Sequence, residues 1–157
     1  MNKTILVVDD DATIRDILER YLRREGFAVR TTADGQTALH MVHAEKPDLI
    51  VLDLMLPEID GWELCRRLRA ETTIPILMLT ARGEEYERIL GLGLGADDYI
   101  TKPFSPGEVV ARIKAIFRRI DMIRAVAPPR EEIIRVGAMI IASTRLRSVL
   151  GGLPMAI

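Results

Sequence analysis

The feature that most constrains the fold is a short apolar run that ends on a carboxylate. Residues 49–52 are Leu-Ile-Val-Leu, a run typical of a strand buried on both faces of a parallel sheet, and Asp53 follows directly. A charge buried there without a partner costs several kcal/mol, so Asp53 needs a partner or a function. In open α/β sheets, ligands bind at the carboxyl ends of the strands. Asp53 is therefore the first candidate site residue.

Four further apolar runs alternate with amphipathic segments. The predicted strands are Ile5–Val8, Phe27–Thr31, Leu49–Asp53, Pro75–Leu79 and Tyr99–Thr101. The predicted helices are Ala12–Glu25, Thr37–Glu45, Gly61–Ala70, Glu84–Leu92 and Ser105–Arg119, with a turn at Asp34-Gly35 and Ser105 as the last N-cap. This alternation predicts an α/β fold, a doubly wound parallel sheet with right-handed crossovers.

Composition restricts the class of protein and its partners. The 157 residues are 48% hydrophobic and 29% charged, as in a soluble globular protein, and the formal net charge of −1 gives no indication of nucleic acid or anionic membrane as a partner. No apolar run approaches the ~20 residues of a membrane helix. The single cysteine, Cys65, excludes an internal disulfide and is typical of a reducing compartment. We expect a cytoplasmic protein with no membrane partner.

Polar residues stand at the ends of four predicted strands. Asp9 and Asp10 follow the first strand, Asp53 ends the third, Thr80 follows the fourth and Lys102 the fifth. Because parallel strands end at one edge of a sheet, these side chains are predicted to converge. Three carboxylates without histidine or cysteine are an all-oxygen ligand set, which suits Mg²⁺ or Mn²⁺. A carboxylate, a divalent cation, a lysine and a threonine together are suited to forming an aspartyl phosphate.

This combination resembles the receiver domain of two-component response regulators. The phrases at 79–82, Leu-Thr-Ala-Arg, and at 95–104, Gly-Ala-Asp-Asp-Tyr-Ile-Thr-Lys-Pro-Phe, are similar to the OmpR/PhoB subfamily. The resemblance covers residues 4–120. It implies a flavodoxin-like sheet of five parallel strands in the order 2-1-3-4-5, with helices on both faces, and a receiver domain over residues 1–121.

The resemblance also implies how the acidic residues work. Asp53 would accept a phosphoryl group from a sensor histidine kinase. Asp10, Asp53 and the backbone carbonyl of Met55 would ligate Mg²⁺, and Asp9 would hold the ion through water. The protein would then be a phosphoacceptor with self-catalysed phosphotransfer and autodephosphorylation, and not an enzyme that turns over a separate substrate.

The resemblance implies a conformational switch at the same edge. Lys102 would pair with the phosphoryl oxygens, next to a cis peptide bond to Pro103. Thr80 would move onto the phosphoryl group and let Tyr99 rotate inward. This motion would repack the face made by the fourth helix, fifth strand and fifth helix of the predicted order.

In the family that face joins two copies in a homodimer. Exposed ion pairs contribute only about 0–1 kcal/mol each, so a weak dimer that phosphorylation can favour is expected. The matching pairs in this sequence are Arg88 with Glu108, Asp98 with Arg112, and Asp97 with Arg119.

The residues after the receiver domain differ in character. Residues 122–132 include Pro128-Pro129 and are predicted to be a linker. Residues 133–157 resemble the start of the subfamily's winged-helix effector domain. About 25 residues are too few to bury a core of their own, so we expect them to be docked or disordered. DNA binding would require the missing effector half.

Two alternative functions remain open. The chain could be a stand-alone receiver that acts by protein–protein contact. It could also be a Mg²⁺-dependent phosphohydrolase using the same aspartyl phosphate, although no segment is typical of a substrate cap. Multiple turnover on a small phosphoester would favour the phosphohydrolase.

His40 and His43 lie three residues apart on the second predicted helix, a spacing at which both could touch one metal ion. The sequence indicates no third ligand nearby. We therefore interpret them as two exposed histidines.

Overall fold

The computed structural model describes residues 2–81, 93 and 95–126 of the chain. The strands are β1 Thr4–Val8, β2 Ala28–Thr32, β3 Leu49–Asp53, β4 Ile76–Thr80 and β5 Asp98–Thr101. The helices are α1 Ala12–Arg24, α2 Gly35–Glu45, α3 Gly61–Glu71 and, last in the chain, α4 Pro106–Val126. The helix predicted at 84–92, most of the predicted linker and the segment 133–157 lie outside the described residues.

The strands form one parallel sheet in the order β2-β1-β3-β4-β5, which confirms the predicted fold. The strand order reverses between β1 and β3. In sheets of this type the ligand crevice lies at the carboxyl ends of the strands on either side of that reversal. The topology therefore directs attention to the ends of β1 and β3.

The sheet is covered on both faces, as its apolar strands require. Alternate residues of β1, β3 and β4, such as Leu6, Ile50 and Ile76, pack with buried residues of α2 and α3 in one core cluster. The residues between them, such as Val7 and Val51, point to the opposite face and are also fully buried. Helices α1 and α4 supply buried apolar side chains for that face, among them Leu18, Leu22, Val109 and Ile113.

Aspartate caps begin three of the helices. Asp11, Asp34 and Asp60 accept hydrogen bonds from backbone N–H groups in the first turns of α1, α2 and α3. The predicted turn at Asp34-Gly35 is wrong, because Asp34 accepts from Thr37 N at 2.8 Å and α2 begins at Gly35.

The last helix begins as predicted and ends later. Ser105 Oγ accepts from Glu108 N at 3.1 Å, so Ser105 caps the helix. The predicted end at Arg119 is wrong, because α4 continues to Val126 and includes the first residues of the predicted linker. Residues 119–126 contain neither glycine nor proline, and the proline that restricts the backbone comes only at position 128.

The chain divides into two compact units, residues 1–118 and 119–157. Of the second unit, residues 119–126 are described, and they are helical, with Met122 and Ile123 exposed. Among the described helices, none is both long enough and apolar enough to cross a membrane.

The start of α3 packs directly on the backbone that follows β3. Gly61 N donates to Leu54 O at 2.8 Å. A Cβ atom at Gly61 would lie 2.5 Å from Leu54 Cα and 2.7 Å from Asp53 O. Since backbone atoms cannot move away as a flexible side chain can, only glycine fits here without displacing the segment after Asp53.

We therefore predict that Gly61→Ala lowers the free energy of unfolding by about 2–3 kcal/mol, because the added methyl group forces a backbone shift. Gly107→Ala is the matched control, since the nearest atom to its Cβ is Ser105 Oγ at 4.0 Å. That control should be neutral or slightly stabilising. Urea denaturation measures both variants, and equal stabilities would contradict the prediction.

Candidate functional site

The strand register brings the predicted acidic residues together. Val8 of β1 is paired with Leu52 of β3, so Asp9 and Asp53 follow at neighbouring positions. Both side chains are buried, whereas Asp10 is exposed. One carboxylate oxygen from each of the three lies within 4.8 Å of the other two. Within the described ranges this is the one group of three or more histidine, cysteine, aspartate or glutamate side chains that converges in this way.

Lys102 lies between the two buried carboxylates. Its Nζ atom is 3.3 Å from Asp53 Oδ1 and 3.5 Å from Asp9 Oδ2. The lysine follows β5, where its backbone N donates to Thr80 O at 2.7 Å, and its peptide bond to Pro103 is cis. The lysine therefore brings a positive charge from the end of β5 to the carboxylates at the ends of β1 and β3.

The surroundings of Asp53 disfavour its ionised form. Burial and the nearby charge of Asp9 raise the pKa of Asp53 from 3.8 to about 6, although the Met55 N–H and Lys102 act in the opposite direction. Met55 N donates to Asp53 Oδ1 at 3.1 Å. With a pKa of about 6, Asp53 is still mostly ionised at neutral pH. Asp53 is thus ionised at neutral pH although its burial and the charge of Asp9 disfavour the ionised form.

The donor set fits a hard divalent cation. Asp9 Oδ2 is buried and, among the described residues, accepts no hydrogen bond. A buried oxygen without a hydrogen bond is costly; the charge of Lys102, 3.5 Å away, lowers that cost, and a bound cation would lower it further. Asp9, Asp10 and Asp53 offer oxygen ligands only, which suits Mg²⁺. These three residues could hold the ion, and the ion would supply positive charge for a phosphoryl group there.

Thr80 and Tyr99 are the two residues of the predicted switch, which stays a prediction. Thr80 is buried at the end of β4, and its hydroxyl donates to Ile100 O at 3.5 Å, a long hydrogen bond. Tyr99 is half-buried and packs against the core cluster. Met55, whose carbonyl is predicted to face the metal, has an exposed side chain.

Three predicted dimer residues are paired within a single chain. Arg112 NH1 lies 3.1 Å from Asp98 Oδ2, and Arg112 NH2 lies 3.6 Å from Glu108 Oε2. Asp98 and Glu108 raise the pKa of the Arg112 guanidinium, mainly through the hydrogen bond to Asp98. The resemblance implied the Asp98–Arg112 pair between two chains, so its presence within one chain is a finding that the sequence did not indicate.

The other predicted dimer residues are placed as follows. Asp97 Oδ2 accepts a hydrogen bond from the backbone N of Ile76, the first residue of β4, at 2.8 Å. Arg119 belongs to the described part of the second unit. Arg88 lies outside the described residues.

Sequence reasoning missed two contacts. Arg15 NH1 donates to the backbone carbonyl of Asp9 at 2.8 Å, and the only available signal was an arginine in the helix after the acidic residues. His43 Nε2 lies 2.6 Å from Glu71 Oε1. Both His40 and His43 are exposed, as predicted, and the contact with Glu71 is an addition to that prediction. Glu71 is 28 residues away in the chain, so no local pattern could indicate it.

The pKa of Asp53 generates a prediction about stability in the absence of divalent cations. Because the pKa is higher in the folded chain than the usual 3.8, the folded state binds the proton more tightly than the unfolded state. Stability therefore falls as pH rises from about 4 to about 6. Asp53→Asn removes the charge and should raise the free energy of unfolding at pH 7.5 by about 1–3 kcal/mol, with a smaller gain at pH 5.

Urea denaturation in EDTA at both pH values measures this difference. Asp16→Asn is the control, because Asp16 is an exposed acid on α1. Adding Mg²⁺ should reduce the difference in free energy of unfolding between Asp53→Asn and the unchanged chain, because the ion stabilises only the chain that keeps Asp53. A gain that is the same at pH 5 and pH 7.5 would contradict the assignment of the raised pKa.

Comparison with known proteins agrees with this geometry. Residues 5–114 match the family described as the response regulator receiver domain. The chain is 58% identical over 123 residues to the alkaline phosphatase synthesis transcriptional regulatory protein PhoP of Bacillus subtilis (strain 168), covering 78% of this chain and 51% of PhoP. It is 51% identical over 117 residues to the probable transcriptional regulator ycf27 of Guillardia theta, covering 74% of this chain and 46% of ycf27. The chain thus spans about half the length of these relatives.

Solved structures show the same architecture. A putative response regulator from Chloroflexus aurantiacus J-10-fl has a TM-score of 0.71 at 45% identity, covering 74% of this chain and 98% of that chain. The BeF3-activated receiver domain of Klebsiella pneumoniae RstA has a TM-score of 0.68 at 38% identity, covering 71% of this chain and 96% of that chain.

Membership of the family carries general properties with it. Response regulators are generally signal transducers and not enzymes, their receiver domains bind Mg²⁺ at an acidic pocket, and a histidine kinase is the partner that such a domain implies. The predicted relation to OmpR/PhoB-type regulators is confirmed by the similarity to PhoP and ycf27. From the fold, the converging acidic residues and these matches together, the chain belongs to the response regulator receiver domain family of two-component systems.

Proposed function

We propose that Asp53 is the phosphoacceptor and that Asp9, Asp10, Asp53 and the Met55 carbonyl hold Mg²⁺ beside it. One observation carries this proposal: Asp53 is a buried carboxylate with Lys102 Nζ 3.3 Å away. A carboxylate must be ionised to act as a nucleophile, and a pKa of about 6 leaves Asp53 ionised at neutral pH.

The proposed reaction is transfer from a phosphohistidine of a sensor histidine kinase. An Asp53 oxygen attacks phosphorus, an O–P bond forms, the P–N bond breaks, and the imidazole nitrogen leaves with the electron pair of that bond. Lys102 offsets the charge on the phosphoryl oxygens. Mg²⁺, when bound, supplies the remaining positive charge. Attack of water on the acyl phosphate then returns the carboxylate, which accounts for autodephosphorylation.

Thr80 and Tyr99 would convert this chemistry into a change of shape. The Thr80 hydroxyl is held by one long hydrogen bond of 3.5 Å to Ile100 O, which a phosphoryl oxygen can replace at little cost. Movement of Thr80 would leave space on the β4–β5 side, and Tyr99 of β5 would rotate inward to fill it. The signal would pass in this way to the face that carries Asp98, Glu108 and Arg112.

The role of the whole protein is a wider proposal. The relatives named above are transcriptional regulators, and the chain spans about half of their length. We propose that residues 1–121 form the receiver domain, 122–132 a connection and 133–157 the first part of an effector domain. Regulation of transcription and contact with DNA would then depend on the effector half.

The phosphoacceptor assignment predicts stoichiometric phosphorylation by acetyl phosphate that requires Mg²⁺. Asp53→Asn should lower incorporation to background, because the amide is no nucleophile. Asp16→Asn should match the unchanged chain, since Asp16 is exposed on α1 and paired with Arg20. Phosphate-affinity electrophoresis and intact mass measure incorporation. Undiminished phosphorylation of Asp53→Asn would refute the assignment, and multiple turnover would favour the phosphohydrolase.

The dimer proposal predicts that beryllofluoride with Mg²⁺ converts the chain from monomer to dimer. Arg112→Ala should weaken the dimer about three- to tenfold, because exposed ion pairs contribute only up to about 1 kcal/mol each. Arg20→Ala is the control, as its partner Asp16 lies one turn away on the same helix. Sedimentation velocity measures the dimer fraction. Bound beryllofluoride without dimerisation would favour the stand-alone receiver.

A further inference from the structure

Arg15 lies on α1 but bonds outside the helix. Its NH1 group donates to the backbone carbonyl of Asp9 at 2.8 Å, and its side chain is half-buried. Arg20 on the same helix behaves differently: it pairs with Asp16 one turn earlier and stays exposed. Arg15 could have turned in the same way to Asp11, four residues before it. Instead its guanidinium reaches the residue that begins the metal-binding segment.

The segment 9–11 is held by backbone contacts on both sides of Asp10. On one side, Asp9 N donates to Thr32 O at 3.2 Å, and Asp9 Oδ1 accepts from Asp11 N at 2.9 Å. On the other side, Asp11 Oδ1 accepts from Thr13 N at 2.9 Å as the cap of α1. Asp10 itself is exposed, so the position of its carboxylate depends on how well its neighbours are fixed.

Arg15 completes this arrangement. The Asp9 carbonyl belongs to the peptide group between Asp9 and Asp10, and the Arg15 guanidinium is its hydrogen-bond donor. Loss of the bond would let that peptide group rotate, and rotation would change the spacing of the two carboxylates that flank it. Small rearrangements matter here, since Mg²⁺ requires near-ideal octahedral geometry.

We infer that Arg15 is a positioning residue for the metal site: it fixes the Asp9–Asp10 peptide group so that both carboxylates keep the spacing a hard divalent cation needs. The inference rests on the proposed Mg²⁺ site. The charge of Arg15 acts in the opposite direction, because a guanidinium near the site repels a cation. Positioning and charge therefore predict opposite effects when Arg15 is replaced.

The experiment is a Mg²⁺ titration of the full 157-residue chain. Arg15→Met keeps the apolar stem and the helix propensity but removes the donor and the charge. Arg15→Lys keeps the charge and one donor. Arg20→Ala is the control on the same helix. Binding is read from the fluorescence of Trp62, the single tryptophan, and from the rise of the unfolding temperature with Mg²⁺.

We expect Arg15→Met to weaken Mg²⁺ binding about tenfold, as is typical when a group that orients a metal ligand is removed. Arg15→Lys should recover part of the loss, and Arg20→Ala should bind as the unchanged chain does. Phosphorylation by acetyl phosphate should need more Mg²⁺ in Arg15→Met but reach a similar rate at saturating Mg²⁺. That separation distinguishes positioning from general damage to the fold, which would lower the saturating rate too.

Unchanged or tighter Mg²⁺ binding by Arg15→Met would overturn the inference, because charge would then be the larger effect. A loss of binding equal in Arg15→Met and Arg20→Ala would also overturn it, since the cause would be helix α1 as a whole. Failure of the unchanged chain to bind Mg²⁺ would refute the proposed site itself, so the two failures are distinguishable.

Discussion

Two buried carboxylates at neighbouring strand ends are the constraint on which the site depends. The register of β1 and β3 puts Asp9 and Asp53 side by side, out of water, where the charge of Asp9 disfavours ionisation of Asp53. Lys102 offsets part of that cost with its Nζ 3.3 Å from Asp53 and 3.5 Å from Asp9 Oδ2, but Asp9 Oδ2 accepts no hydrogen bond among the described residues. A site in this condition gains stability from any further positive charge. It is therefore suited to respond to a cation and to a phosphoryl group, whose arrival changes the balance of charge at the edge of the sheet.

The rest of the fold holds this unfavourable arrangement in place. The segment after β3 is fixed by the close approach of Gly61 to Leu54, and the segment after β1 by Asp11 and Arg15. Both sheet faces are covered by helices, so the strands have little freedom to relax the repulsion by separating. The residues of the proposed switch lie beside this site: the Thr80 hydroxyl donates one long hydrogen bond of 3.5 Å to Ile100 O, and Tyr99 is half-buried.

The two predictions that were wrong concern the start of α2 and the end of α4. The turn at Asp34-Gly35 was wrong because Asp34 caps α2, and a cap and a turn use the same residue types. The predicted end of α4 at Arg119 was wrong because no glycine or proline interrupts the helix between Arg119 and Val126. Two contacts that the sequence did not indicate are the Asp98–Arg112 pair within one chain and the His43–Glu71 contact between α2 and α3. Neither pairing could be deduced from spacing, because side-chain partners depend on how separate segments pack.

The sequence by itself determined the kind and order of most described elements and the chemical identity of the site. Apolar periodicity is a local property, and the residue that ends each strand can be read directly; parallel pairing then brings Asp9, Asp53, Thr80 and Lys102 to one edge. Only the tertiary structure decided the distances there, the raised pKa of Asp53, the hydrogen bond of the Thr80 hydroxyl and the contact of Arg15 with the Asp9 carbonyl. Those properties arise from burial and from contacts between segments far apart in the chain. These distances, contacts and the pKa shift therefore exist only in the folded chain, where the sheet and its helices bury the carboxylates.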